Sequence, residues 1–181
     1  MMLGQRFLWL LPTAFLAIGP VGGACAEGLL GAKTATAPSA AGVAPSASNL
    51  ATAPAPDSPT AQVRSFYVDG ADLALADRGR FTDPARMVLE KNEILKKSGQ
   101  GDCLDQNMAL DEVPYDKAML EKTFKSLESI NGDEARVVVA FVEGSEPHRL
   151  EWKLKKVGGG WKITDLLSVT GEWALSQYQC E

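Results

Sequence analysis

The stretch Ala135-Arg136-Val137-Val138-Val139-Ala140-Phe141-Val142-Glu143 decides how the rest of this chain is read. Its centre is apolar on both sides of a period-two pattern, as a central strand would be. Asn131-Gly132 stands just before it, a strong hairpin signal because the two turn residues need positive φ. Gly144-Ser145-Glu146-Pro147 makes the next turn. Leu150, Trp152 and Leu154 then alternate with Arg149, Glu151, Lys153 and Lys155, which predicts a strand with one buried face and one wet face. Gly158-Gly159-Gly160 turns the chain again into Trp161-Lys162-Ile163-Thr164-Asp165-Leu166. Upstream, residues 121–130 are ambiguous. Leu120, Phe124 and Leu127 also fit a helix, and the turn that follows favours a strand.

Before these strands the period changes. Ser58-Pro59 reads as an N-cap with proline at the first helical position, and Val63, Phe66, Tyr67, Ala71 and Ala74 fall on one stripe closed by Gly79. Thr82-Asp83-Pro84 opens a second helix by the same device. Its apolar residues are Met87, Val88, Ile94 and Leu95, and Gly99 stops it. Residues 100–117 have no period and read as a long loop. Helices followed by an antiparallel meander predict an α+β domain over residues 58–181. In it, two N-terminal helices pack on a curved antiparallel sheet of about four strands.

Residues 1–26 have the grammar of a secretory signal peptide: one charge at Arg6, an apolar run from Phe7 to Ile18, and small residues up to Ala24-Cys25-Ala26. The run is too short to cross a hydrocarbon layer of ~30 Å. Gly22-Gly23-Ala24-Cys25 resembles a lipoprotein box, so acylation of Cys25 stands beside simple cleavage after Ala26. Residues 27–57 read as a disordered spacer. From 34 to 60, Ala, Pro, Ser and Thr supply 22 of 27 residues, too little apolar surface to offset ordering entropy. Periplasmic or secreted location follows, with an outer- or inner-membrane lipoprotein as the alternative. The chain would touch a membrane only if Cys25 is acylated.

The inventory excludes several functions. The chain of 181 residues has a net charge of −5, which argues against a nucleic-acid binder. One His and three Cys exclude a His-rich metal site and a zinc ribbon. Gly158-Gly159-Gly160 lies between strands and lacks Lys-Ser/Thr, so it is a turn and not a phosphate loop. No cofactor is expected.

Gly160-Trp161-Lys162-Ile163-Thr164-Asp165-Leu166, after a valine-rich strand entered through Asn-Gly-Asp, is similar to the nuclear-transport-factor-two-like (cystatin-like) cone domains. Within that group it most resembles bacterial exported domains of unknown function, often found on lipoproteins. These carry two leading helices and an acidic Cys-Leu-Asp … Asp stretch, here Cys103-Leu104-Asp105 through Asp111. The resemblance spans residues 58–166 and implies a sheet wrapped round helices with a conical pocket. That fold serves unrelated purposes and assigns no reaction.

Candidate chemistry is sparse. Cys103 and Cys180 are the thiols left after signal cleavage, and an even count in an exported protein predicts a disulfide. A nucleophilic Cys or free thiols are the rivals. Asp102, Asp105 and Asp111 are candidate carboxylates for a ligand or a structural tie, although their spacing is not that of an EF-hand. His148 has Glu146 and Glu151 nearby in sequence, an ordinary surface pattern. Trp152 and Trp161 lie at period-two positions and read as core. No catalytic residue and no metal ligand is assigned.

The function expected is therefore a non-enzymatic exported domain that binds a protein, an envelope component or a small apolar ligand. One special form is an immunity protein against a toxin delivered into the periplasm, where the acidic composition would suit a basic partner. The alternatives are a cone-fold hydrolase or isomerase using an Asp with Tyr67, Tyr115 or His148, and a purely structural envelope protein.

Overall fold

Glycine turns set the sheet. Glu134–Glu143 (β3), Glu146–Val157 (β4) and Gly160–Ser168 (β5) form an antiparallel meander. Gly158 and Gly159, between β4 and β5, stand at φ 62° and 87°, the left-handed region that a two-residue hairpin needs. The hairpin before β3 is shifted by one residue from the sequence reading. Asn131 is the last strand residue and pairs with Glu134, and Gly132, at φ 62°, begins the turn.

The computed structural model describes residues 46–50, 52–70 and 72–181. The signal peptide, Cys25 and most of the spacer lie outside them. Six strands follow in chain order across one antiparallel sheet: Ser46–Asn49 (β1), Lys125–Asn131 (β2), β3, β4, β5 and Trp173–Ala174 (β6). The helices are Pro59–Val68 (α1), Ala85–Ser98 (α2) and Lys117–Thr123 (α3). The α+β class stands, with three helices and six strands where two helices and about four strands were expected. Among the described residues, no helix is long and apolar enough to cross a membrane.

The departures have physical causes. β1 falls inside the stretch that composition assigns to a spacer, because main-chain pairing along β2 asks little of side-chain type. Leu50 buries just beyond it, and the Arg64 guanidinium donates to the carbonyls of Leu50 and Thr52. α1 ends at Val68, well short of Gly79. Gly70 takes φ 62°, and the side chains of Asp72 and Asp77 accept from Ala74 N and Gly79 N, capping two short 3-10 turns instead. α2 stops at Gly99, φ 79°, as expected, but it starts on Pro84 with no side-chain cap. It buries Ala85, Val88, Leu89 and Asn92 and leaves Met87 and Ile94 half or more exposed. α3 corrects both the loop to 117 and the strand from 121: Asp116 accepts from Met119 N at 3.0 Å, a cap that carries the helix to Thr123.

The two faces of the sheet differ. Ala135, Val137, Val139 and Phe141 of β3 face the helices with Leu150, Trp152 and Leu154 of β4. The register of β5 skips Thr164, so that Ile163 and Leu166, three residues apart, both reach this side. Phe66 of α1 stacks on Trp152 with centroids 4.9 Å apart. The opposite side, with Val138, Ala140 and Val142, is only half-buried.

Candidate functional site

On the helix-facing side Trp152, Phe66, Tyr67, Leu89, Leu150 and Ile163 are all fully buried, and a groove of about 250 Å³ lined by Leu50, Arg64, Tyr67, Val68, Lys117 and Glu121 opens beside them. Trp152 Nε1 donates to the Tyr67 hydroxyl at 2.9 Å, which gives both polar atoms a partner. Burial pushes the Tyr67 phenol well above its ordinary value; the Trp152 bond opposes this and the Asp111 charge adds to it. Trp161 is buried as well, and Trp173 is half-buried in β6.

Beside this core sits the acidic loop between α2 and α3. Cys103 and Cys180 are joined in a disulfide, with Cα atoms 5.5 Å apart. The buried Asn92 side chain accepts from Cys103 N at 2.7 Å and Leu104 N at 3.1 Å. Asn107, Asp111 and Glu112 hold φ of 57°, 57° and 67°, a left-handed conformation that costs energy without glycine. Such a path persists only when its surroundings over-determine it, which the disulfide and Asn92 do.

The three candidate aspartates do not converge. Asp102 pairs with Lys96 at 3.2 Å. Asp105 accepts from the Tyr178 hydroxyl at 3.2 Å. Burial, with Asp105 alongside, raises the Tyr178 phenol to about 12. Asp111 meets His148 Nδ1 at 2.9 Å. Among the described residues, no group of three or more His, Cys, Asp or Glu is placed to hold a metal ion. Glu112, which the sequence reading passed over, lies by Asp105 and Asp111, and burial followed by their charges raises its carboxyl.

The Asp111–His148 pair is what sequence reasoning left unspecific: it offered His148 with an unnamed Asp, and Asp111 as a separate candidate carboxylate. Their side chains are 5% and 12% exposed, and His148 stacks on Phe141, its partner across β3 and β4, at 5.3 Å. Glu146 and Glu151, weighed as its neighbours, are not its partners. Among the described residues, Asp111 Oδ1 is buried without a hydrogen-bond partner. A carboxylate that fixes an imidazole in this way can orient it as a base, or can serve as a buried tie between loop and sheet.

The open face of the sheet is the other candidate. Leu127, Val138, Ala140, Val142 and Leu167 form its apolar centre, with Leu127 40% exposed and Val169 51% exposed beyond it. An open groove of about 510 Å³ is lined by Lys125, Ala140, Val142, Pro147, Arg149 and Val169 among others. A second, of about 340 Å³, is lined by residues that include Ser129, Arg136, Lys153 and Thr164. Tyr115, offered as a catalytic phenol, donates instead to Val68 O at 2.7 Å.

No protein-family model matches this chain, and no curated protein matches it. A chain in the crystal structure of the type VI native effector-immunity complex Tae3-Tai3 from Ralstonia pickettii is similar at 21% identity and a TM-score of 0.43. The match covers 68% of this chain and 99% of that one.

Proposed function

We propose that this chain is an exported, disulfide-tied domain that binds a protein partner through the open face of its sheet. The observation that carries the reading is the asymmetry of that sheet: one face is filled by helices and aromatic rings, and the other presents half-buried Val138, Ala140 and Leu167 to solvent. Apolar surface of this kind on a folded domain marks an interaction site. The signal-like residues 1–26 and the Cys103–Cys180 bond support an oxidising compartment. Likeness to the cone domains and acylation of Cys25 belong to the same proposal. Intact mass of the mature chain decides between acylation and cleavage after Ala26. An immunity protein against a periplasm-delivered toxin is the special form of this reading.

The test is photo-crosslinking in living cells. A photoreactive residue at Leu127 or Val138 should give a discrete protein adduct, and one at Met87 or Ile94 on α2 should not. Equal adducts from both surfaces, or none from the sheet, would contradict the reading.

A second reading rests on Asp111 and His148. Their 2.9 Å contact favours a hydrolase or isomerase in which Asp111 orients His148 as a base. In that case Asp111→Asn would abolish turnover of a responsive substrate and leave the fold intact. Unchanged turnover would end this reading.

A further inference from the structure

The open face reverses the sign of the molecule. The whole chain carries a net charge of −5. On the outward rows of β2, β3 and β4, however, Lys125, Arg136, Arg149, Lys153 and Lys155 stand against only Glu134 and Glu151. Arg136 is paired with Glu151 at 3.0 Å. Among the described residues, Lys125, Arg149, Lys153 and Lys155 have no ion-pair partner. Asp165, opposite Lys153 in the register, is buried and its carboxylate accepts from Leu166 N, Ser176 N and the Ser176 hydroxyl; among the described residues it forms no ion pair with Lys153. Lys162, next along the last row, donates to the Gly79 carbonyl.

These cations surround an aliphatic centre. Lys125, Ala140 and Arg149 lie in one row across three strands, with Leu127, Val138 and the Arg136-paired Glu151 in the next, and Ser129, Arg136 and Lys153 in the one after. From this arrangement we infer that the open face recognises a protein surface that is acidic at its rim and aliphatic at its centre. The inference rests on the partner-binding reading above and gives that partner its chemistry. It also reverses the expectation from composition, in which an acidic chain calls for a basic partner. Complementary potential steers the encounter and fixes the register of docking, and the apolar rows supply contact. An anionic lipid surface fits less well. The face exposes no Trp or Phe of the kind that enters a bilayer interface, and its apolar side chains are largely half-buried between neighbours.

The experiment uses the full chain and a labelled synthetic peptide alternating glutamate and valine, with a lysine–valine peptide as control. Fluorescence anisotropy should show the acidic peptide binding about tenfold or more tighter at low salt, with the preference shrinking as salt screens it. Two independent charge reversals, Lys125→Glu with Arg149→Glu and Lys153→Glu with Lys155→Glu, should each weaken the acidic peptide about tenfold. Lys91→Glu on α2 should leave it unchanged. Lys125, Arg149 and Lys155 are exposed and Lys153 is half-buried, and among the described residues none has an ion-pair partner, so thermal melting of both double variants should stay within a few degrees of the parent. Equal binding of the two peptides, indifference to both reversals, or capture by phosphatidylglycerol vesicles without peptide binding would overturn the inference.

Crosslinking separates the two failures. Adducts from Leu127 and Val138 that survive both reversals would leave partner binding standing and remove the acidic partner. Loss of all sheet adducts in the parent chain would remove both.

Discussion

Val137 and Val138 are adjacent in sequence and face opposite sides of one sheet. The first is fully buried opposite Trp152, and the second is half-buried on a face that no helix covers among the described residues. The same residue type thus holds the fold together in one position and is available to a partner in the next. The two faces also differ in charge. Along β4, the inward row carries Leu150, Trp152 and Leu154, and the outward row Arg149, Glu151, Lys153 and Lys155. The comparison teaches that stability and recognition are assigned by strand parity, so substitutions on the two faces should separate cleanly.

The largest effect should come from the inward face. Trp152→Ala empties a fully buried site and strips the Tyr67 hydroxyl of its partner; a loss of about 5 kcal/mol is expected by urea unfolding. A loss under about 1 kcal/mol would mean that this side is not the packed core.

The covalent tie comes next. Cys103 and Cys180 close a loop with a sequence separation of 77. Replacing both with serine should cost roughly 4 kcal/mol in the chain-entropy model, and reductant should lower the melting temperature of the parent alone. Asp111→Ala follows at about 1–3 kcal/mol, since it leaves His148 buried without its partner. A cost near zero would show that the pair does not tie the loop to the sheet.

Val138→Thr on the open face should move stability by no more than about 0.5 kcal/mol. A loss comparable to that of Trp152→Ala would erase the distinction between the faces. Glu112 gives the smallest effect and a sign that can be checked. Burial and the nearby Asp105 and Asp111 raise its carboxyl above the ordinary value. The folded state therefore holds that proton more tightly than the unfolded chain. The resulting stabilisation is full below the ordinary glutamate range and is lost as pH rises through the raised value. Glu112→Gln should raise the melting temperature slightly at neutral pH, and the difference should vanish in acid. A difference that grows in acid would contradict the assignment.

What the sequence disclosed follows the same division. Period-two alternation and glycine turns made β3, β4 and β5 readable, because one wet and one dry face leave a pattern in the chain. β1 left none: residues rich in Ala, Ser and Pro look like a spacer, and strand pairing through the main chain does not change that composition. The early end of α1 was hidden because Asp72 and Asp77 divert the backbone into 3-10 turns by local bonds. The Asp111–His148 pair was hidden because 37 residues separate its members and the loop path depends on left-handed residues and a disulfide. One signal was present. His148 stands two residues before Leu150, in step with Trp152 and Leu154, so extending that period backwards places it on the buried side.

The central claim is tested most directly by replacing Val137 and Val138, one at a time, with aspartate in a chain that carries the photoreactive residue at Leu127. The account predicts that Val137→Asp abolishes the folded state, whereas Val138→Asp keeps the melting temperature within a few degrees of the parent and eliminates the protein adduct. If Val138→Asp unfolds the chain as Val137→Asp does, or melts like the parent and still forms the adduct, the open face is not where this domain meets its partner.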